Sequence, residues 1–215
     1  MAKLLCAACL LALLSAPARA GGSEDCLALS GLGCYFDGGN DGLLIYLRGH
    51  LHGSGRITGE GPVLASSRQA FDFYGLRSAA QNRNLTVMVT GSSHLPVLPA
   101  DVAALEKRLG RKFGKVLVAA HSGGYVGLAK SLEELPKVDG IVLLDDFYGD
   151  VAGMARRVAG RDAPCAGFRT PHNKARFAAF TGTSCVIDAA RSDAEHEPRV
   201  ARCLTDYLDG RACSD

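Results

Sequence analysis

The chain has 215 residues, with 24 Lys and Arg against 22 Asp and Glu, 26 glycines, eight cysteines and no tryptophan. That composition excludes collagen-like, coiled-coil, transmembrane and disordered chains. The nearly balanced charge gives no support for a nucleic-acid or anionic-membrane partner.

The first segment reads as an export signal. Lys3 supplies the positive charge, Leu4 to Leu14 is an unbroken run of Leu, Ala and Cys, and Ala18-Arg19-Ala20 places small residues where a signal peptidase reads. The run is too short to cross a bilayer, which takes about 20 residues. A cut after about Ala20 removes Lys3 and Arg19 and no acid, leaving 22 basic against 22 acidic residues in a mature chain, 21–215, that suits one domain. Cys6 and Cys9 leave with the signal. Six cysteines remain, an even number that in an exported, secreted or periplasmic chain points to three disulfides. Short spacing suggests Cys26–Cys34 and Cys203–Cys213, which leaves Cys165–Cys185.

The hydrophobic pattern then alternates between two periods. Leu43 to Leu47 is a continuous apolar run between Gly42 and Arg48-Gly49, as in a strand buried on both faces. Ser66 to Ala80 reads as a helix opened by a Ser66/Gln69 capping box. Leu85 to Thr90 is a second strand, Asp101 to Leu109 a helix, Lys115 to Ala120 a third strand, Gly123 to Leu135 a helix ended by Pro136, and Val138 to Leu144 a fourth strand. Asp150 to Ala159 reads as helix and Gly160 to Asn173 as loop. Phe177 to Thr181 and Cys185 to Ala189 read as strands, and Pro198 to Leu208 as a closing helix. Strands alternating with helices of this length predict βαβ units and a mostly parallel sheet. Asn84-Leu85-Thr86 is a glycosylation sequon that opens a strand.

The most informative stretch runs from Lys115 to Ala129: buried strand, then Ala120-His121-Ser122-Gly123-Gly124, then helix. It resembles the nucleophile elbow of the α/β-hydrolase superfamily, G-x-S-x-G between a strand and a helix. In such a turn the serine is held strained with Oγ exposed, and the residues two before and two after it are small so that strand and helix can approach. Ala120 stands where the first glycine is usual, and Gly124 matches the second. The resemblance implies an α/β-hydrolase-like three-layer sandwich, reduced in size, with Ser122 as nucleophile and the Gly123 amide aimed at a developing oxyanion. It implies a second oxyanion amide in the loop after the Leu43–Leu47 strand, within Gly49 to His52, with Leu51 as the first choice. His50 and His52, one residue apart, are also candidates for half of a metal site.

The acid and the base follow the nucleophile in the order Ser, Asp or Glu, His. Asp145 ends the Val138–Leu144 strand, where the functional rim of an open α/β sheet lies, with Asp146 as the alternative acid. The more usual position for the acid follows a later strand; Asp188 and Asp193 are candidates there but lie close in sequence to His196. His196, in the polar loop before the last helix, is where the superfamily places its base. His121 adjoins Ser122 and the turn aims the two side chains apart; His94 follows another strand and His172 lies in the Cys165 loop. The reading is a serine hydrolase for an ester or related acyl small molecule, through Ser122, His196 and Asp145, with no cofactor or metal required. Two other readings are a non-catalytic binding protein on the same fold and a metal-dependent hydrolase using His50 and His52.

Overall fold

The structure, a computed structural model, describes residues 23–27, 33–39, 41–49, 70–91, 94–145 and 150–213. Its strands are β1 (Ser23–Leu27), β2 (Gly33–Asp37), β3 (Gly42–Leu47), β4 (Leu85–Val89), β5 (Lys115–His121), β6 (Gly140–Leu144), β7 (Cys165–Arg169) and β8 (Cys185–Ala189). The main helices are α1 (Leu76–Arg83), α2 (Pro99–Leu109), α3 (Tyr125–Glu134), α4 (Val151–Ala159), the single turn α5 (Lys174–Phe177) and α6 (Pro198–Leu208). The strands form one sheet in the order β1-β2-β4-β3-β5-β6-β7-β8. β3 to β8 run parallel, and β1 and β2 add an antiparallel hairpin at one edge, so the sheet is mixed.

The continuous apolar runs are explained by layering. In β3, Leu43, Ile45 and Leu47 enter one core, with Leu105 of α2, Leu128 and Leu132 of α3 and Val158 of α4. Leu44 and Tyr46 point the other way, toward Leu76 and Ala80 of α1 and Val200 and Leu204 of α6. A strand covered on both faces needs apolar side chains at every position, and all six residues of β3 are buried. Each fully buried Leu or Ile contributes about 1.5–3 kcal/mol relative to exposure.

Local chemistry sets the ends of the elements. α2 begins at Pro99, earlier than expected, because proline is favoured in the first helical turn. Asp101 Oδ2 accepts the Leu98 N–H there at 2.8 Å. Asp150 caps α4 by accepting the Gly153 N–H at 2.8 Å. The helix expected from Ser66 to Ala80 is broken: residues 70–73 are helical, Gly75 takes a φ of 64°, and α1 restarts at Leu76. Ser66 and Gln69 lie outside the described residues.

Two elements correct the sequence reading. The segment expected as loop holds β7, inside Gly160 to Asn173. Its Gly167 lies against β6, where a Cβ would meet the Leu143 carbonyl oxygen at 2.1 Å, so a residue type that signals a loop is here required by close strand contact. The segment expected as strand, Phe177 to Thr181, is instead the end of α5 and the 3-10 turn Ala178–Phe180. Phe177 and Phe180, spaced i to i+3, pack their rings 5.7 Å apart in the same core. The β1–β2 hairpin had no counterpart in the sequence reading. The three disulfides are Cys26–Cys34, Cys165–Cys185 and Cys203–Cys213, as the spacing suggested. The first joins β1 to β2 and the second β7 to β8, each between residues directly paired in register. Thr86 of the sequon is fully buried and its hydroxyl donates to Asp37 Oδ1 at 3.1 Å.

Candidate functional site

The site lies at the C-terminal ends of β3, β5 and β6, neighbours in the middle of the sheet. β5 runs into the 3-10 turn Ser122–Gly124 and then α3. At Ser122 the backbone turns with φ 50°, a left-handed conformation that costs a non-glycine residue energy. Two glycines make room for the turn. A Cβ on Gly124 would lie 2.0 Å from the Leu47 carbonyl oxygen, so α3 can start this close to β3 only with glycine there. A Cβ on Gly49 would lie 2.4 Å from Ser122 Cβ and 3.0 Å from its Oγ, so the backbone leaving β3 passes directly against the serine. Ser122 is 8% exposed.

Arg48, the residue after β3, is buried and fixes that backbone. Its Nε donates to Thr90 O at 3.2 Å, Nη2 to Gly91 O at 2.5 Å and Nη1 to Gly49 O at 3.2 Å. The ends of β3 and β4 are thereby tied together beside Ser122.

Asp145 follows β6 directly, one strand away. It is wholly buried and also has a positive φ, 39°. The Ser122 N–H donates to its carbonyl at 3.3 Å, which sets the two residues level. Oδ1 of Asp145 accepts from the Thr170 N–H at 2.7 Å, the Thr170 hydroxyl at 3.2 Å and Asn173 Nδ2 at 3.0 Å. Oδ2 faces His196 Nδ1 at 2.8 Å. Such a set of donors stabilises an ionised carboxylate in a buried place. With Asp145 ionised, Nδ1 of His196 carries the proton and Nε2 is the lone-pair nitrogen.

His196 is held between the 3-10 turn Asp193–Glu195 and α6, its side chain 28% exposed. Its ring packs on that of His121, centroids 4.7 Å apart. His121 is wholly buried, and among the described residues neither ring nitrogen has a hydrogen-bond partner. Burial, and then the neighbouring His196, lower its pKa to about 3, so it is neutral near pH 7. Tyr74 packs edge-on against it at 5.1 Å. Burial and the negative charge of Glu197 raise the Tyr74 hydroxyl far above its ordinary pKa. Glu197 Oε1 lies 3.7 Å from His196 Nε2.

Of the residues singled out in the sequence, Ser122, Gly123, Asp145 and His196 gather at this one end of the sheet. The other acid candidates are engaged elsewhere: Asp188 pairs with Arg199, and Asp193 accepts the His172 N–H at 2.9 Å. The strand after β6 is followed directly by Thr170, a donor to Asp145 and not an acid. His50, Leu51, His52 and Asp146 lie outside the described residues. Four contributors were not foreseen. Arg48, Thr170, Asn173 and Glu197 have no motif of their own, and only the folded sheet brings them to the site.

No protein-family model matches the sequence, and no curated protein does. Solved structures do match in fold. An S-formylglutathione hydrolase from Agrobacterium tumefaciens superposes with a TM-score of 0.54 at 12% identity, over 88% of this chain and 94% of that one. A fluorophosphonate-binding serine hydrolase of Staphylococcus aureus gives 0.55 at 10% identity, over 90% and 99%. A proline iminopeptidase-related protein from Thermus thermophilus gives 0.51 at 12%, over 88% and 95%. At such identities the likeness is one of architecture, and it shows that the chain has the α/β-hydrolase fold.

Proposed function

We propose that this α/β-hydrolase-fold chain is a serine hydrolase that cleaves an ester or related acyl compound. The observation that carries the proposal is the 2.8 Å contact of His196 Nδ1 with Asp145 Oδ2, made across 51 residues of sequence beside a serine in a left-handed turn. In the mechanism, His196 Nε2 takes the Ser122 proton as Oγ attacks the substrate carbonyl. Asp145 keeps the proton on Nδ1 and stabilises the imidazolium that forms. The amides of Gly123 and Leu51 hold the oxyanion of the tetrahedral intermediate. Collapse expels the alcohol, which takes its proton from His196. Water activated by the same imidazole then hydrolyses the acyl-enzyme.

The Ser122–His196 hydrogen bond of this mechanism belongs to the substrate complex, because catalytic hydrogen bonds commonly tighten only when substrate is bound. Three disulfides favour an oxidising compartment, secreted or periplasmic, as the working place of the enzyme. No helix of the described residues is long and apolar enough to cross a membrane.

The test is covalent labelling. A fluorophosphonate should modify the folded wild type at Ser122 and leave Ser122→Ala unmodified. Folded wild type that takes no label would favour a binding protein on this fold. p-Nitrophenyl esters of graded chain length, set against a peptide amide, would then define the acyl group.

A further inference from the structure

Beside the proposed base His196 lie two side chains that the mechanism does not use, His121 and Glu197. His121, His196 and Glu197 each present a donor atom, and these atoms lie within 4.8 Å of one another. We propose that these three residues form a binding site for a divalent transition-metal ion of the zinc type, and that an ion bound there switches the hydrolase off.

Four observations support the site. Zinc prefers imidazole and carboxylate donors at about 2.0–2.2 Å in tetrahedral geometry, which sets neighbouring donors roughly 3.3 Å apart. His196 Nε2 and Glu197 Oε1, 3.7 Å apart, already approach that spacing. His121 is the second imidazole, wholly buried with both ring nitrogens lacking a partner among the described residues. A buried polar ring in that state costs free energy, and coordination by one nitrogen would recover part of it.

The third observation concerns the outer ligands. A metal-bound histidine almost always gives its other N–H to a carboxylate, which orients the ring and strengthens it as a donor. His196 has that arrangement, with Nδ1 on the buried Asp145. The fourth is access. Glu197 and His196 have side chains 34% and 28% exposed, so an ion can reach them from solvent, while His121 closes the inner side. The ion would take two neutral imidazoles and one carboxylate, and solvent would fill the fourth position.

The switching effect, unlike the binding, rests on the serine-hydrolase reading. A nitrogen has one lone pair. Given to a metal, the Nε2 pair of His196 cannot accept the Ser122 proton.

Two measurements separate the claims. In the first, zinc is titrated calorimetrically into full-length Ser122→Ala, which needs no turnover. One ion per chain should bind, and adding Glu197→Gln should weaken binding by at least about 10-fold, the low end of what loss of an outer-shell partner alone costs a metal site. Absence of stoichiometric binding overturns the site. So does binding that is unchanged by Glu197→Gln but lost in His50→Ala/His52→Ala, which would assign the ion to the other histidine pair. In the second, zinc should inhibit ester hydrolysis by the wild type, a chelator should restore it, and Glu197→Gln, measured against its own metal-free rate, should need at least about 10-fold more zinc for half-inhibition. Stoichiometric binding without inhibition overturns the switch. If the wild type hydrolyses no ester, the calorimetry still decides the metal site.

Discussion

Gly124 and Leu47 are in contact through backbone alone: a methyl group on Gly124 would lie 2.0 Å from the Leu47 carbonyl oxygen. Nothing flexible is available to move aside. Gly124→Ala should therefore push α3 off β3 and turn Ser122 out of position. We expect a destabilisation of about 1–3 kcal/mol, the usual cost of overpacking. Ester hydrolysis should fall by far more than stability does. Urea denaturation and initial rates on the same preparation would separate the two effects, and an alanine variant with wild-type rates would contradict this packing argument.

Asp145→Asn should keep the volume but present an amide where the carboxylate now faces His196 Nδ1. That favours the wrong tautomer of the base. By analogy with other triads, kcat should drop by about 10⁴ with a folded protein and little change in KM. Asn173→Ala removes one of the three donors to Oδ1. A hydrogen bond to a charged group is worth about 1.5–3 kcal/mol. We expect Asn173→Ala to lower kcat by roughly tenfold, more than it raises KM, if it acts by holding Asp145 in place.

The buried His121 makes stability depend on acid. Its pKa is about 3 in the fold, against an ordinary 6.5. Between those values the unfolded chain binds a proton that the native protein excludes. This contribution is full above about pH 6.5 and is lost as pH falls toward 3, with a slope approaching 1.4 kcal/mol per pH unit, roughly one proton. The groups that face the ring are His196, Asp145, Tyr74 and Glu197. Chemical denaturation at a series of pH values should show the slope in the wild type. His121→Gln should reduce it, and an equal slope in that variant would refute the assignment.

The disulfides close loops of different size, with sequence separations of 20 for Cys165–Cys185 and 10 for Cys203–Cys213. Loss of either should cost about 2–4 kcal/mol, with more lost for the longer loop. The second bridge holds α6, whose N-terminal end adjoins His196. Cys203→Ala/Cys213→Ala should therefore reduce kcat as well as stability. Thermal melts and kinetics under oxidising conditions would show whether the two effects travel together.

Much of the site is legible before folding because its members stand at element boundaries. Ser122 is marked by a strand, a small-residue turn and a helix, Asp145 by the end of an apolar run, and His196 by the loop before an amphipathic helix. β7 escapes notice because Pro164, Cys165 and Gly167 are loop-type residues, and the strand is imposed by its neighbours β6 and β8. Phe177 to Phe180 is apolar enough for a strand, yet its i, i+3 aromatic spacing is helical. His121 is set aside in the sequence because adjacent side chains diverge at a turn. Its contact is with His196, 75 positions away, and no local pattern encodes that.

The order of strands in the sheet has a consequence for how activity is acquired during refolding. Ser122 and Asp145 follow adjacent strands close in sequence, whereas His196 lies beyond β7 and β8 in the chain and meets Asp145 across 51 residues. Contacts between distant parts of a chain carry a larger loop-closure cost and tend to slow folding. Recovered catalysis should therefore lag behind recovered secondary structure in a refolding experiment. In that respect the proposed site would serve as a clock for the last stage of assembly of the sheet.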